Sequence, residues 1–155
     1  MGNSYSMTSA VSAMTTVPFI QVASPSATAV EILSFYISQQ TSETSEQASL
    51  SFTRRTTNST FPAAATAPSP VALSKNAPAT QLVTGTTQNA ISVSTATGSL
   101  NGTLGRYSFN TLNGFVHLPL PEERITVGPN GFLTVQFVVA PAANDYNITM
   151  TFREL

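Results

Sequence analysis

The sequence predicts an all-β fold: a two-sheet β-sandwich or jelly roll of about eight strands, with an extended N-terminal arm. Ser and Thr number 19 and 23 among 155 residues, with 10 Pro, against few of the long-chain helix formers that a helical bundle needs. Short runs rich in Val, Ile and Phe recur along the chain, separated by turn signals such as Asn113-Gly114 and Gly128-Pro-Asn-Gly131. Two late segments, Phe132 to Val139 and Ile148 to Arg153, alternate with the period of two that a strand with one buried face requires. A chain of this length buries one core without covalent staples, in keeping with its zero cysteines.

Met1 to Thr16 is uncharged, dominated by Ser, Thr, Met and Ala, and shows no sustained period. It reads as an arm outside a sandwich domain that spans residues 17–155, so its removal is expected to leave the domain's stability nearly unchanged. Phe19, Ile20 and Val22 form a short strand, and Ser24-Pro25 a turn. Ala29 to Ser38 is β-branched and aromatic with apolar residues at both parities, which predicts a central strand covered on both faces. Gln39 to Ser49 lacks an apolar stripe and reads as a loop, whereas Leu50 to Arg54 alternates as a half-buried strand. Thr57 to Thr80 holds Pro62, Pro68, Pro70 and Pro78 and reads as a surface excursion, with a weak strand around Val71 to Ser74. Gln81 to Val83 and Ala90 to Val93 are short strand candidates, and Thr97 to Gly105, with glycines at 98, 102 and 105, reads as turn.

Arg106 to Thr111, Phe115 to Leu118 and Arg124 to Val127 complete the strands, together with Phe132 to Val139 and Ile148 to Arg153. In the first of the two last-named, Leu133, Val135, Phe137 and Val139 share a face; in the second, Ile148, Met150 and Phe152 do. These two strands are expected to define a core sheet.

The charge inventory is small, with seven acidic and six basic residues and a net charge of −1. That balance supplies no field for nucleic acid or anionic lipid, and Arg54-Arg55 is the nearest approach to a basic cluster. The absence of cysteine removes disulfides, thiolate nucleophiles and Cys-ligated zinc. The first twenty residues carry no basic region followed by an apolar one, so no secretory signal is expected, and no run approaches the roughly 18 apolar residues of a membrane-spanning helix.

His117 is the one histidine and Asp145 the one aspartate, and no Gly-x-Ser-x-Gly accompanies them, so a Ser-His-Asp site has no nucleophile elbow. His117 should point away from Val116 and Leu118, as a surface or interface residue. Glu122, Glu123 and Arg124 form the densest charge group, but neighbours on a strand face opposite ways, and no clustered Asp/Asn loop suited to calcium is present. These three residues read as a turn whose charges pair locally or with a neighbouring chain. No catalytic, cofactor-binding or metal-ligating residue is assigned, and no cofactor is expected. The sequons at Asn58, Asn101 and Asn147 match the roughly 2.7 that chance supplies at this composition, and the acylation-like pattern of Gly2 and Ser6 lies in a serine-rich stretch. Phe19, Phe35, Tyr36, Phe109, Phe115 and Phe132 read as core rather than as a sugar platform, which would more typically include Trp.

Several motifs of the C-terminal half carry a resemblance: Phe109-Asn110, Asn113-Gly114-Phe115, Pro119-x-Pro121-Glu122-Glu123-Arg124-Ile125, Gly131-Phe-Leu133, Ala140-Pro141 and the closing Thr151-Phe-Arg-Glu-Leu155. The chain resembles the jelly-roll head decoration, or cement, proteins of tailed bacteriophages, at the level of pattern from Phe19 to Leu155. The resemblance implies a non-enzymatic virion structural protein that binds the major capsid protein and stabilises the outer capsid surface. It implies assembly in the host cytoplasm; the charge balance argues for no nucleic-acid or membrane partner. Self-association is expected, as a homotrimer suited to the three-fold positions of a capsid lattice, with the turn presenting Glu122, Glu123 and Arg124 at one end of the sandwich as the contact. A tail, baseplate or fibre component is the alternative within virions, and a carbohydrate-binding or adhesin sandwich the alternative outside them; an enzyme ranks behind both. The serine-rich start and the Pro-rich segment after Arg55 depart from the family pattern.

Overall fold

A computed structural model describes residues 2–40, 45–62, 70–82, 88–142 and 145–155. In chain order the strands are β1 (Ser4–Val11), β2 (Pro18–Ala23), β3 (Val30–Gln39), β4 (Gln47–Arg55), β5 (Val71–Ala72), β6 (Ala90–Ile91), β7 (Leu100–Asn110), β8 (Phe115–His117), β9 (Thr126–Val127), β10 (Phe132–Phe137) and β11 (Tyr146–Glu154). A 3₁₀ turn, Pro121–Glu123, lies between β8 and β9. Two antiparallel sheets pack face to face: sheet A in the order β5-β1-β11-β3-β8, with β9 also on β3, and sheet B in the order β6-β2-β10-β4-β7. The predicted all-β sandwich is therefore the observed fold.

Without the two-residue strands β5, β6 and β9, the remaining eight pair like the arms of one long hairpin. β4 pairs with β7, β3 with β8, β2 with β10 and β1 with β11. Rolling that hairpin sends successive pairs to opposite sheets, which is jelly-roll connectivity. The apolar faces meet in one core, where Phe35 of sheet A meets Phe52 of sheet B edge-on at 5.5 Å and Tyr146 meets Phe137 at 5.4 Å.

Four expectations need correction. Residues 4–11 are not an arm: β1 is hydrogen-bonded between β5 and β11, with Tyr5, Met7 and Val11 buried, and Met14 just beyond it also packs in the core. The alternation is there, but Ser9 occupies one inward position, which blunts the apolar signal. Strand β3 is central yet covered on one face only, since Tyr36 is 41% exposed. Its apolar residues fall at both parities because a bulge at Leu33 shifts the pleat, so that Val30 and Ile32 before it and Phe35 and Ile37 after it all point inward.

The stretch Thr97 to Gly105 is not simply turn: from Leu100 it belongs to the longest strand, β7, whose irregularity is two bulges opposite Phe52–Thr53 and Arg54–Arg55. Finally, β10 and β11 lie in opposite sheets rather than one. Their inward residues are buried as predicted, except Val139, which lies past the end of β10 and is 71% exposed. The weak strand near Val71 is β5, and the Ala90 candidate is β6. Gln81 and Leu82 form no strand, and Val83 lies outside the described residues, as does part of each of the two polar segments, at 41–44 and 63–69.

The turns follow their residues. Pro129 and Asn130 occupy the corners of the β9–β10 turn, closed by a 2.9 Å bond from Gly131 N–H to Gly128 O, and Asn130 takes φ 56°, the left-handed value a type II turn needs. Gly114 takes φ 67° where the chain enters β8, and a Cβ there would stand 2.7 Å from Ile37 O.

Candidate assembly surface

The chain from Leu118 to Ile125 leaves one edge of sheet A and returns to it. β8 pairs with Phe35–Ile37 of β3, and β9 pairs with Val30–Glu31 farther along the same strand. The intervening residues therefore project from the edge as a loop, tied back by the 2.9 Å bond from Ile32 N–H to Ile125 O. Pro119 and Pro121 bracket Leu120 and restrict the loop's backbone. Leu118 and Leu120 are 63% and 62% exposed.

The three predicted contact residues part company here. Glu122 and Glu123 are exposed on the 3₁₀ turn. Arg124 turns back instead: its Nη1 lies 3.4 Å from Glu31 Oε2, which also takes Arg153 Nη2 at 2.5 Å. The loop thus presents two carboxylates and two leucines, while the arginine belongs to an ion-pair group on the outer face of sheet A. It also lies along a sheet edge, not at an end of the sandwich.

The apolar surface continues onto the sheet. Val116 pairs in register with Tyr36, and the two are 53% and 41% exposed on the outer face. Beside them run the unpaired edges of both sheets. β8 and β7 each have one neighbouring strand among the described residues, and β7 is 11 residues long with Arg106 its single charge. Long edges with so little charge are the ones most open to pairing with another chain. Leu104, on a β7 bulge, and Leu112, in the β7–β8 turn, add exposed apolar area at 42% and 52%. Exposed aliphatic side chains along unpaired edges favour association with another chain.

The sequence held a signal for this surface that went unread. Phe115-Val-His-Leu118 alternates, but its aliphatic residues face solvent and its histidine faces in. His117 does point away from Val116 and Leu118, but toward the core, and it is half-buried. Its ring fills the gap between β7 and β8, 5.3 Å from Phe52, 5.1 Å from Tyr107 and 6.4 Å from Phe115. Nε2 is buried without a hydrogen-bond partner. Burial pushes the imidazole pKa below its usual value, a shift that the Glu123 carboxylate partly offsets.

The six aromatics read as core divide. Phe19, Phe35 and Phe109 are buried, Phe115 and Phe132 are partly covered, and Tyr36 is exposed. Among the described residues, no group of three or more His, Asp or Glu is placed to hold a metal ion. Among the same residues, no helix is long and apolar enough to cross a membrane. No protein-family model matches the chain, and no curated protein matches its sequence.

Proposed function

We propose that the chain is a non-enzymatic structural subunit of a virion that self-associates, as a homotrimer, and decorates the outer surface of a phage capsid by binding the major capsid protein. The observation that carries this reading is the projecting loop, with Leu118 and Leu120 exposed between prolines beside two unpaired sheet edges. A rigid apolar projection rimmed by Glu122 and Glu123 suits a protein contact with an apolar centre and a polar rim. The low charge of the chain fits the same use, because contacts made through Ser, Thr and aliphatic side chains carry little charge desolvation. Attachment through several subunits at once multiplies weak contacts by effective concentration. The capsid as partner rests on the sequence resemblance.

The test is a double variant, Leu118→Asp with Leu120→Asp, which leaves the buried core untouched. It should melt within about 2 °C of the parent, as exposed substitutions do. By light scattering it should run as a monomer where the parent runs at three times the chain mass, and it should no longer sediment with capsids stripped of their decoration. A parent chain that stays monomeric and never sediments with such capsids would refute the proposal.

A further inference from the structure

The two outer faces of the sandwich treat their cations differently. On sheet A, Arg124 and Arg153 share the Glu31 carboxylate. On sheet B the strand register sets Arg106, Ser51 and Gln136 side by side in one row, and Thr103, Thr53 and Thr134 in the next. Arg55 follows on the same face of β4, only 8% exposed. Its guanidinium donates from Nε to Thr134 Oγ1 at 3.1 Å, from Nη1 to Gly98 O at 2.7 Å and from Nη2 to Gln136 Oε1 at 2.5 Å.

All three acceptors are neutral. A guanidinium carries five N–H groups and stays protonated in proteins, so among the described residues this buried cation has two donors without a partner and no counter-charge. The side chain of Arg106, exposed on the edge strand, makes no hydrogen bond or ion pair with another described residue. Between the two arginines lies a cleft of about 320 Å³ with Ser51 and Thr53 on its floor and no carboxylate among the described residues that line it. The Thr53 hydroxyl is already held, 2.6 Å from Thr134 Oγ1, which orients the floor. Two cations, hydroxyl donors and the absence of acid in one concavity are the ingredients of an anion site.

We propose that this cleft binds an oxyanion group, a carboxylate, sulfate or phosphate, with the free N–H groups of Arg55 as a fixed donor pair and Arg106 closing on it from solvent. The same group reaches the site either as a free inorganic anion or carried on an acidic saccharide. Arg54, the neighbour that made a basic cluster in the sequence, takes no part: adjacent strand residues face opposite ways, and its Nη2 donates to Thr126 O at 3.1 Å.

The site lies on the outer face of sheet B and shares strand β7 with the assembly surface; it is tested on the full chain by calorimetric titration at constant ionic strength with sodium sulfate, sodium phosphate and sodium glucuronate. Saturable binding of at least one is expected, weakened about tenfold in Arg106→Gln through loss of one charge-assisted hydrogen bond. Arg106 lies on an exposed edge, so that variant keeps the fold, whereas Arg55→Gln is a second test only if it melts cooperatively. Equal affinity for the three would identify the isolated group as the ligand, and glucuronate binding at least tenfold tighter would identify the saccharide. No saturable heat with any of them, or binding unchanged in Arg106→Gln, would overturn the proposal.

Discussion

Removing residues 1–16 should abolish folding. Four side chains in that stretch are buried in the core: Tyr5 at 1% exposure, Met7 at 0%, Val11 at 5% and Met14 at 2%. Full burial of a large apolar side chain contributes about 1.5–3 kcal/mol, so the four together contribute roughly 6–12 kcal/mol, against the about 5–15 kcal/mol by which a domain is stable at all. The ladder adds to this. All of β1 from Ser4 to Val11 pairs with β11, and its loss would open that central strand to water and uncover Phe152, on which Tyr5 stacks at 5.7 Å.

The deletion should show no cooperative transition by calorimetry. Met7→Ala supplies the graded version. A large-to-small change at a fully buried site costs about 2–5 kcal/mol, or roughly 4–20 °C in Tm for a chain of this size. Thr8→Ala, one residue on and facing solvent, should stay within about 0.5 kcal/mol. A truncated protein that melts cooperatively at the temperature of the full chain would refute the placement of β1 and restore the arm.

Phe137→Ala or Phe152→Ala, in opposite sheets and each fully buried, should cost about 3–5 kcal/mol in urea unfolding, while Thr149→Ala and Thr151→Ala on the outer face of β11 should cost less than about 1 kcal/mol; equal losses on both faces would contradict the register. Partial burial lowers the pKa of His117, so the unfolded chain binds a proton first as pH falls: this contribution to stability is full above the unfolded value near 6.5 and is lost as pH drops below it toward the depressed folded value. Tm measured from pH 8 to 5 should fall less steeply in His117→Phe than in the parent, and parallel curves would show that the imidazole is not buried.

Strands whose phase is set locally were legible from residue order. In β11, Ile148, Met150 and Phe152 alternate with polar residues without interruption, and the structure buries those three. β3 and β7 were misread for one reason in two guises. A bulge inserts a residue and reverses the pleat, so in β3 the apolar residues occupy both parities, and in β7 the extra residues and glycines imitate a turn. None of these three bulges is visible until the partner strand is in place. The loop from Pro119 to Ile125 was legible as a charged turn, but the direction of Arg124 was not, because Glu31 lies 93 residues away along the chain.

Residue order alone determined the all-β class and the inward faces of the regular strands, since composition and a period of two act over a few residues. Tertiary structure decided which strands share a sheet, that β1 belongs to the core, and which cations find a carboxylate. Those outcomes depend on pairings between residues far apart in the chain: β1 is completed by β11, and Arg55 donates to Thr134, Gly98 and Gln136. A short segment such as Ser4–Val11, with serine at one inward position, buries too little apolar surface to declare itself a strand. It becomes one when β11 supplies the ladder and the second sheet supplies the core.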